Sequence, residues 1–292
     1  MVVRFLLYWF QTQEFVVKWS HHISGTFTVR NGVRQGGILS PILFNVFIDG
    51  LSNILNRSGI GCHINDVSVN HLQYADDSVI LAPSPSGLQK LLNICESYAK
   101  DYDMIYNAKK TVCMCIKSKG SRSMTVPEVI LDGNRLKWLT EHKYLGIYIS
   151  NTFADDCDIR RQTKSVYAKG NILIRKFNNC TQEVKAQLFQ SYCTNMYCGS
   201  LWYNHKVSSF KAIMVAYNKV FKYLMNVKGA CSMSQLFIDN NVDHFKVLFR
   251  KCTIGTLTRL FKSQNILVTS IINSMYFMFN SELYLHWQTT LY

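Results

Sequence analysis

Acidic side chains are in short supply in this chain of 292 residues, 18 Asp and Glu against 32 Lys and Arg, and the shortage is uneven. Residues 1–159 hold 15 basic and 14 acidic side chains, a net of +1, whereas residues 160–292 hold 17 and 4, a net of +13. So one-sided a balance is the electrostatic footprint of a polyanion partner, although a solubilising basic face gives the same count. Paired cysteine motifs are missing too. The ten cysteines are scattered through apolar runs without a Cys-x-x-Cys pair. Cys193, Cys198 and His205 would need a fourth partner to hold zinc, so the cysteines read as core residues of a reducing compartment. Long apolar runs are absent as well. The opening Met1–Phe10 is interrupted by Gln11, Gln13, Glu14 and Lys18, short of membrane-spanning length, and it lacks a small-residue cleavage site. It reads as a buried helix. The expectation is an intracellular protein, nuclear or cytoplasmic rather than secreted, with no membrane partner. Neither repeats nor low-complexity tracts occur, and 48% hydrophobic against 17% charged residues is a globular composition, enough for one large domain or two modest ones.

What is there alternates between strands and helices up to about residue 150. Thr26–Val29 alternates like a strand that Asn31-Gly32 breaks, and the glycine-rich Gly32–Gly37 loop follows. Ser40-Pro41 reads as an N-cap with a first-turn proline. Leu43, Phe47, Leu51, Ile54 and Leu55 then keep helical spacing until Gly59. A second amphipathic helix carries Leu88, Leu91, Leu92, Cys95 and Tyr102, and Thr111–Ile116 is a strand. Asp132-Gly133 signals a hairpin turn between Val129–Leu131 and Leu136–Trp138, and Lys143–Ile149 is a further strand. Beyond Asn151 only helical periodicity remains: Val184, Leu188, Tyr192 and Met196 recur every four residues, and Phe210, Ile213, Tyr217, Val220 and Leu224 similarly. The expected class is α+β, an antiparallel sheet with packed helices over residues 1–150 followed by a basic, all-helical region over 151–292.

The densest chemistry lies at Tyr74-Ala75-Asp76-Asp77, at the expected turn of a hairpin. Two adjacent carboxylates at an apolar hairpin tip are costly without a cation against them. In a basic chain the economical reading is a divalent metal site that handles a nucleotide phosphate.

Four segments in order then resemble a reverse transcriptase of the non-LTR retrotransposon type. Gly32-Val33-Arg34-Gln35-Gly36-Gly37-Ile38-Leu39-Ser40-Pro41 is similar to the family's fourth motif, and Tyr74-Ala75-Asp76-Asp77 to its catalytic motif. Asn107-Ala108-Lys109-Lys110-Thr111 resembles the motif after it, and Tyr144-Leu145-Gly146 the primer-grip strand. Lys185–Trp202 is similar to the helical segment behind the palm. The resemblance implies a partial polymerase palm with a thumb-like helical region, working on an RNA template, a DNA primer and a dNTP with Mg²⁺ or Mn²⁺. It makes Asp76 the direct metal ligand and Asp77 the second. Gln35, Gly36, Gly37, Tyr74 and Ala75 would line the template and nucleotide. Lys110, with Lys109 competing for the role, would assist pyrophosphate departure, and Tyr144, Leu145 and Gly146 would face the primer. Lys164, Lys169, Arg175, Lys176, Lys211, Lys219 and Lys222 would touch phosphates without sequence preference.

One part of the family's pattern is missing. An earlier strand supplies its first catalytic aspartate, yet the only acidic residue before Asp49 is Glu14, in a stretch that resembles the helix after that strand. The expectation is a chain that lacks the fingers and the first catalytic strand, begins at an internal methionine, binds metal weakly and does not polymerise DNA. A non-catalytic RNA- or DNA-binding relic, or a half-enzyme completed in trans by an upstream fragment, are the alternatives.

Overall fold

The computed structural model describes residues 1–29, 32–116 and 126–291. Asn31, half of the expected strand break, lies outside them. Helix α1 spans Val2–Gln11, as the apolar opening predicts, but none of its residues is buried. No layer covers it, and Val2, Val3, Phe5 and Tyr8 stay in solvent. Two short antiparallel pairs follow, Glu14–Phe15 with Phe27–Thr28 and Lys18–Trp19 with His22–Ile23. Glu14 therefore stands on a strand rather than a helix.

Helix α2 (Ser40–Arg57) packs on helix α3 (Pro85–Asp101) through Leu51, Leu55, Leu91, Cys95 and Tyr98. The Tyr98 hydroxyl donates to the Phe47 carbonyl at 2.7 Å. Ser40 is not the cap it resembles in sequence. Leu39 holds that position, and the Ser40 hydroxyl turns back to the Arg34 carbonyl, tying the glycine loop to the helix start. Ser84 does cap α3, accepting from Gly87 N at 3.1 Å, a contribution of about 1 kcal/mol. Tyr102 falls just past the end of α3 and is exposed, so Tyr98 takes the buried place expected of it.

The sheet is divided into two-stranded pieces. Cys62–Ile64 pairs with Val67–Val69, His71–Tyr74 with Asp77–Ile80, Ile130–Leu131 with Asn134–Arg135, and Glu141–Tyr144 with Ile147–Ser150, all antiparallel. Val112–Cys113 and Lys137–Trp138 pair in parallel. The turn at Asp132-Gly133 takes φ of 48° and 69°, the paired positive angles that make Asp-Gly a hairpin signal. Behind these pairs Leu92, Cys113, Val129, Leu131 and Leu136 form a second small core, and Ile80 and Tyr106 touch both small cores.

From Asp156 onward, apart from one short 3₁₀ turn, the regular structure is α-helical. Helices α4 (Asp156–Lys176), α5 (Gln182–Cys193) and α6 (Val207–Leu224) are followed by α7 (Met233–Asp239), α8 (Phe245–Phe261), α9 (Ile266–Ile272), α10 (Met275–Asn280) and α11 (Glu282–Leu291). Helices α4–α8 share the largest core, built on Phe189, Tyr217, Phe221, Phe237 and Phe245. Full burial of each such side chain contributes roughly 1.5–3 kcal/mol. The α6 face is the one its spacing predicts, with Ile213, Tyr217, Val220 and Leu224 buried. On α5 the buried residues are Lys185, Ala186, Phe189 and Cys193, while Val184 and Tyr192 are exposed. Met196 lies beyond the helix end, so the four-residue spacing that reached it joined a helix to a loop. Among the described residues, none of the helices is long and apolar enough to cross a membrane.

The total accessible surface is 20,035 Å², against about 13,000 Å² for a compact monomer of this size. In the first 50 residues Trp19, Ile38, Ile42 and Val46 are exposed.

Candidate active site

Asp76 and Asp77 occupy the tip of the His71–Tyr74/Asp77–Ile80 hairpin, as the sequence predicts, and both are exposed. Tyr74 pairs with Asp77, leaving Ala75 and Asp76 as the two-residue turn. Ala75 takes a left-handed φ of 52°, which costs a non-glycine residue on the order of 1 kcal/mol. The base of the hairpin is pinned from below. Buried Asn70 donates through Nδ2 to the carbonyls of Leu55 (2.6 Å) and Ile60 (2.8 Å), and its own carbonyl accepts from Leu81 N at 2.8 Å. His71, its pKa lowered by burial, sets Nδ1 2.7 Å from Asn70 Oδ1. Higher up, the Ser52 hydroxyl on α2 donates to Gln73 Oε1 at 2.8 Å. One helix thus fixes the direction in which the carboxylates project.

A second hairpin, Glu141–Tyr144 with Ile147–Ser150, is built on the same plan. At its turn Leu145 and Gly146 have φ of 45° and 86°, again the twist-matched pair of positive angles. Tyr144 precedes that turn, and burial together with the negative charge of Asp77 pushes its phenol above the usual value. Tyr144 pairs with Ile147, so Leu145 and Gly146, expected to face the primer, form a two-residue turn. The Tyr197 hydroxyl, from the helical region, donates to the Leu145 carbonyl at 3.0 Å.

The other predicted residues are not drawn in so closely. Gln35 and Gly36 are exposed in the glycine loop, and Gly36 needs its φ of 80°. At Gly37 a Cβ would fall 2.6 Å from Ser40 Oγ, so the loop closes on the start of α2 only without a side chain. Lys109 and Lys110 are exposed on a turn stapled by Asn107, whose carbonyl accepts from Lys110 N and Thr111 N, each at 3.0 Å. Among the described residues no hydrogen bond or ion pair joins either loop to Asp76 or Asp77. Of the seven basic residues named for phosphate contact, Lys164, Arg175, Lys176, Lys211 and Lys219 are exposed and Lys169 is half-buried, while Lys222 is already committed to the Gly229 carbonyl at 2.5 Å.

In donor chemistry Asp76 and Asp77 fit one Mg²⁺, which is commonly held by one or two carboxylates plus substrate phosphates and water. Among the described residues they gain no third His, Cys, Asp or Glu.

Sequence reasoning missed the joint between the hairpins and the helices. Asp158, buried at the start of α4, accepts from Tyr148 N (3.0 Å), Trp202 Nε1 (2.9 Å) and the Arg161 guanidinium (Nε, 2.6 Å). Three residues earlier, Asp155 accepts from Tyr203 N (2.8 Å) and Asn204 N (2.7 Å), and burial raises its pKa to about 6. The run Asp155-Asp156-Cys157-Asp158 after a strand signals an acidic helix start, but nothing in it names the donors.

Against this geometry, the family profile described as reverse transcriptase (RNA-dependent DNA polymerase) matches residues 3–149, half of the chain. The chain belongs to the reverse transcriptase family. Its relatives are polymerases of non-LTR retrotransposons. The Pol polyprotein from the type-2 retrotransposable element R2DM of Drosophila melanogaster is 35% identical over 141 residues, 46% of this chain and 13% of that protein. The RNA-directed DNA polymerase from mobile element jockey, from the same species, is 27% identical over 169 residues, 55% of this chain and 18% of its own length. The probable RNA-directed DNA polymerase from transposon BS is 23% identical over 275 residues, 90% of this chain and 30% of its own length. The matches thus span 30% or less of each of these three relatives.

Proposed function

We propose that this chain carries the catalytic hairpin, the primer-facing turn and the nucleic-acid grip of a polymerase that copies RNA into DNA, and that alone it does not extend a primer. The observation that supports the first half is the hairpin that projects Asp76 and Asp77 into solvent, pinned at its base by Asn70 and held along one strand by Ser52. Asp76 and Asp77 would hold Mg²⁺ or Mn²⁺, which when bound neutralises triphosphate charge and activates the primer hydroxyl. The chain's own residues would do the rest. Gln35, Gly36 and Gly37, with Tyr74 and Ala75, would position template and dNTP. Leu145 and Gly146 would support the primer strand, and Lys110 would offer a proton or positive charge to the departing pyrophosphate. Residues 1–150 would be the palm portion and 151–292 the thumb-like portion, in an intracellular setting.

The second half rests on the donor set. Nucleotidyl transfer of this kind uses two metals about 3.5–4 Å apart. Two neighbouring carboxylates leave the second metal short of ligands, and losing one member of a catalytic unit commonly costs several powers of ten in rate. The net of +13 in residues 160–292 favours a second reading, an RNA- or DNA-binding module whose affinity outlasts its chemistry.

Primer extension on an RNA template with Mg²⁺ or Mn²⁺ is the test. No product is expected; product that disappears in Asp76→Ala would overturn the inactivity. Product that appears only when an upstream fragment is supplied would assign the chain to a split enzyme. Binding to a primer–template should weaken steeply between 50 and 200 mM salt, and affinity indifferent to salt would refute the grip.

A further inference from the structure

Helix α8 is apolar on two opposite faces. At about 100° per residue, Phe245, Phe249 and Thr253 fall on one side, and all three are buried. Val247, Ile254 and Phe261 fall on the other side, seven residues apart, and are 42%, 51% and 55% exposed. This outward stripe runs about 21 Å along the helix axis. A surface helix ordinarily turns one apolar stripe to the core and a polar face to water. Here the outward face is a second apolar stripe.

The two polar residues on that stripe are already satisfied within the chain. Thr258, exposed, donates its hydroxyl to the Ile254 carbonyl at 2.9 Å. Lys251 donates its ammonium to both carboxylate oxygens of Asp243, at 2.8 and 2.6 Å. An apolar counterpart laid on the stripe would therefore leave neither of them newly unpaired, which is the usual cost of covering polar groups. The seven-residue step of Val247, Ile254 and Phe261 is the period of a coiled-coil seam, so the counterpart that fits is another helix.

Charge selects which helix. Arg250 and Lys262 are exposed and flank the stripe at about 60° to either side. Arg250 is oriented by an Nε hydrogen bond to the Thr290 carbonyl at 3.0 Å. Helix α8 also carries Lys246, Lys251 and Arg259 and holds no carboxylate. A second copy of α8 on this stripe would set cations against cations, which opposes pairing. A nucleic-acid strand would meet the flanking cations, but between them it would find Val, Ile and Phe side chains instead of donors. A helix with an apolar seam and Asp or Glu beside that seam answers both features.

We infer that the outward face of α8 docks an acidic amphipathic helix of a partner protein, seated on Val247, Ile254 and Phe261 between Arg250 and Lys262. The surface lies outside the matched residues 3–149 and does not depend on the polymerase reading.

The experiment uses the full chain and two fluorescein-labelled helical peptides of about three heptads. Both have leucine along the seam; one has glutamate at the flanking positions and the other lysine. Fluorescence anisotropy should show saturable binding of the glutamate peptide, about tenfold or more tighter than that of the lysine peptide. Ile254→Glu should weaken that binding by about tenfold or more, whereas Ile254→Leu should stay close to wild type. Ile254 faces solvent, so the Ile254→Glu variant should keep the wild-type thermal melt. Lys262→Glu, which disturbs no packing, should shrink the preference for the glutamate peptide. Absence of saturable binding, equal binding of the two peptides, or indifference to Ile254→Glu would overturn the proposal. A wild-type dimer in sedimentation that Ile254→Glu dissolves would overturn it in favour of a second copy. Displacement of the peptide by an RNA–DNA duplex would overturn it in favour of nucleic acid.

Discussion

Replacing Asp158 by alanine would strand three donors at once. Its carboxylate is 4% exposed and takes the Trp202 indole N–H, the Tyr148 amide and the Arg161 guanidinium. Breaking a buried ion pair by removing one partner typically costs 3–5 kcal/mol, and each orphaned buried donor adds to the desolvation penalty. Arg161 is 22% exposed, so part of its charge turns to water and the lower end of the range applies. About 3 kcal/mol is expected, a fraction of the whole stability large enough to read directly. With a urea slope of about 3 kcal/mol/M for a chain of this size, the unfolding midpoint should fall by about 1 M. Asp158→Asn keeps an acceptor for one N–H but turns an amide toward Arg161, and should lose about 2 kcal/mol. The assay is urea denaturation followed by far-UV circular dichroism, with tryptophan fluorescence reporting Trp202. An alanine variant whose midpoint stays within about 0.3 M of wild type would refute the claim that this carboxylate joins the second hairpin to the helices.

Asp155 should act in the opposite sense with pH. Its folded pKa, raised to about 6 by burial, exceeds the unfolded value, so the native state binds the extra proton and stability falls as pH rises from about 4 to about 6. Asp155→Asn, which preserves an acceptor for Tyr203 N and Asn204 N, should match wild type near pH 3.5, below the unfolded pKa, and exceed it at pH 8; urea midpoints at the two pH values decide this. Gly170 on α4 faces Val220 on α6, where a Cβ would sit 2.3 Å from Cγ1. Gly170→Ala should therefore destabilise by about 1–3 kcal/mol despite alanine's better helix propensity, as a thermal melt would show. Leu145 holds a φ of 45° in a two-residue turn, so Leu145→Asn should raise stability by about 1 kcal/mol in the same melt, the reverse of the usual outcome for losing an apolar side chain.

Local signals were legible where a short stretch decides its own conformation. Asp132-Gly133 forms the expected turn, Ser84 and Pro85 open α3, and the α6 stripe buries the residues its spacing selects. The acidic turn was legible for the same reason, since Tyr74–Asp77 lies between two short apolar segments that pair with each other. What failed depended on partners distant in sequence. α1 looks like a core helix, but no layer covers it. The α5 face is one position away from the pattern because the packing of Phe189 against Tyr217 and Phe221, not the spacing, chooses the buried side. Asp158 and Tyr197 reach residues 10 and 52 positions away, and nothing in their own neighbourhoods marks those partners.

The division of the core has a consequence for motion. Residues of α4–α8 share one broad apolar core, whereas the hairpin bearing Asp76 and Asp77 rests through Ile80 on the two small ones. Amide hydrogens of α6 should therefore exchange only on global opening, while those of His71–Ile80 exchange through smaller, more frequent openings. The carboxylates sit on the fast-breathing part of the molecule, while Tyr197 reaches from the slow part only as far as the Leu145 carbonyl of the second hairpin.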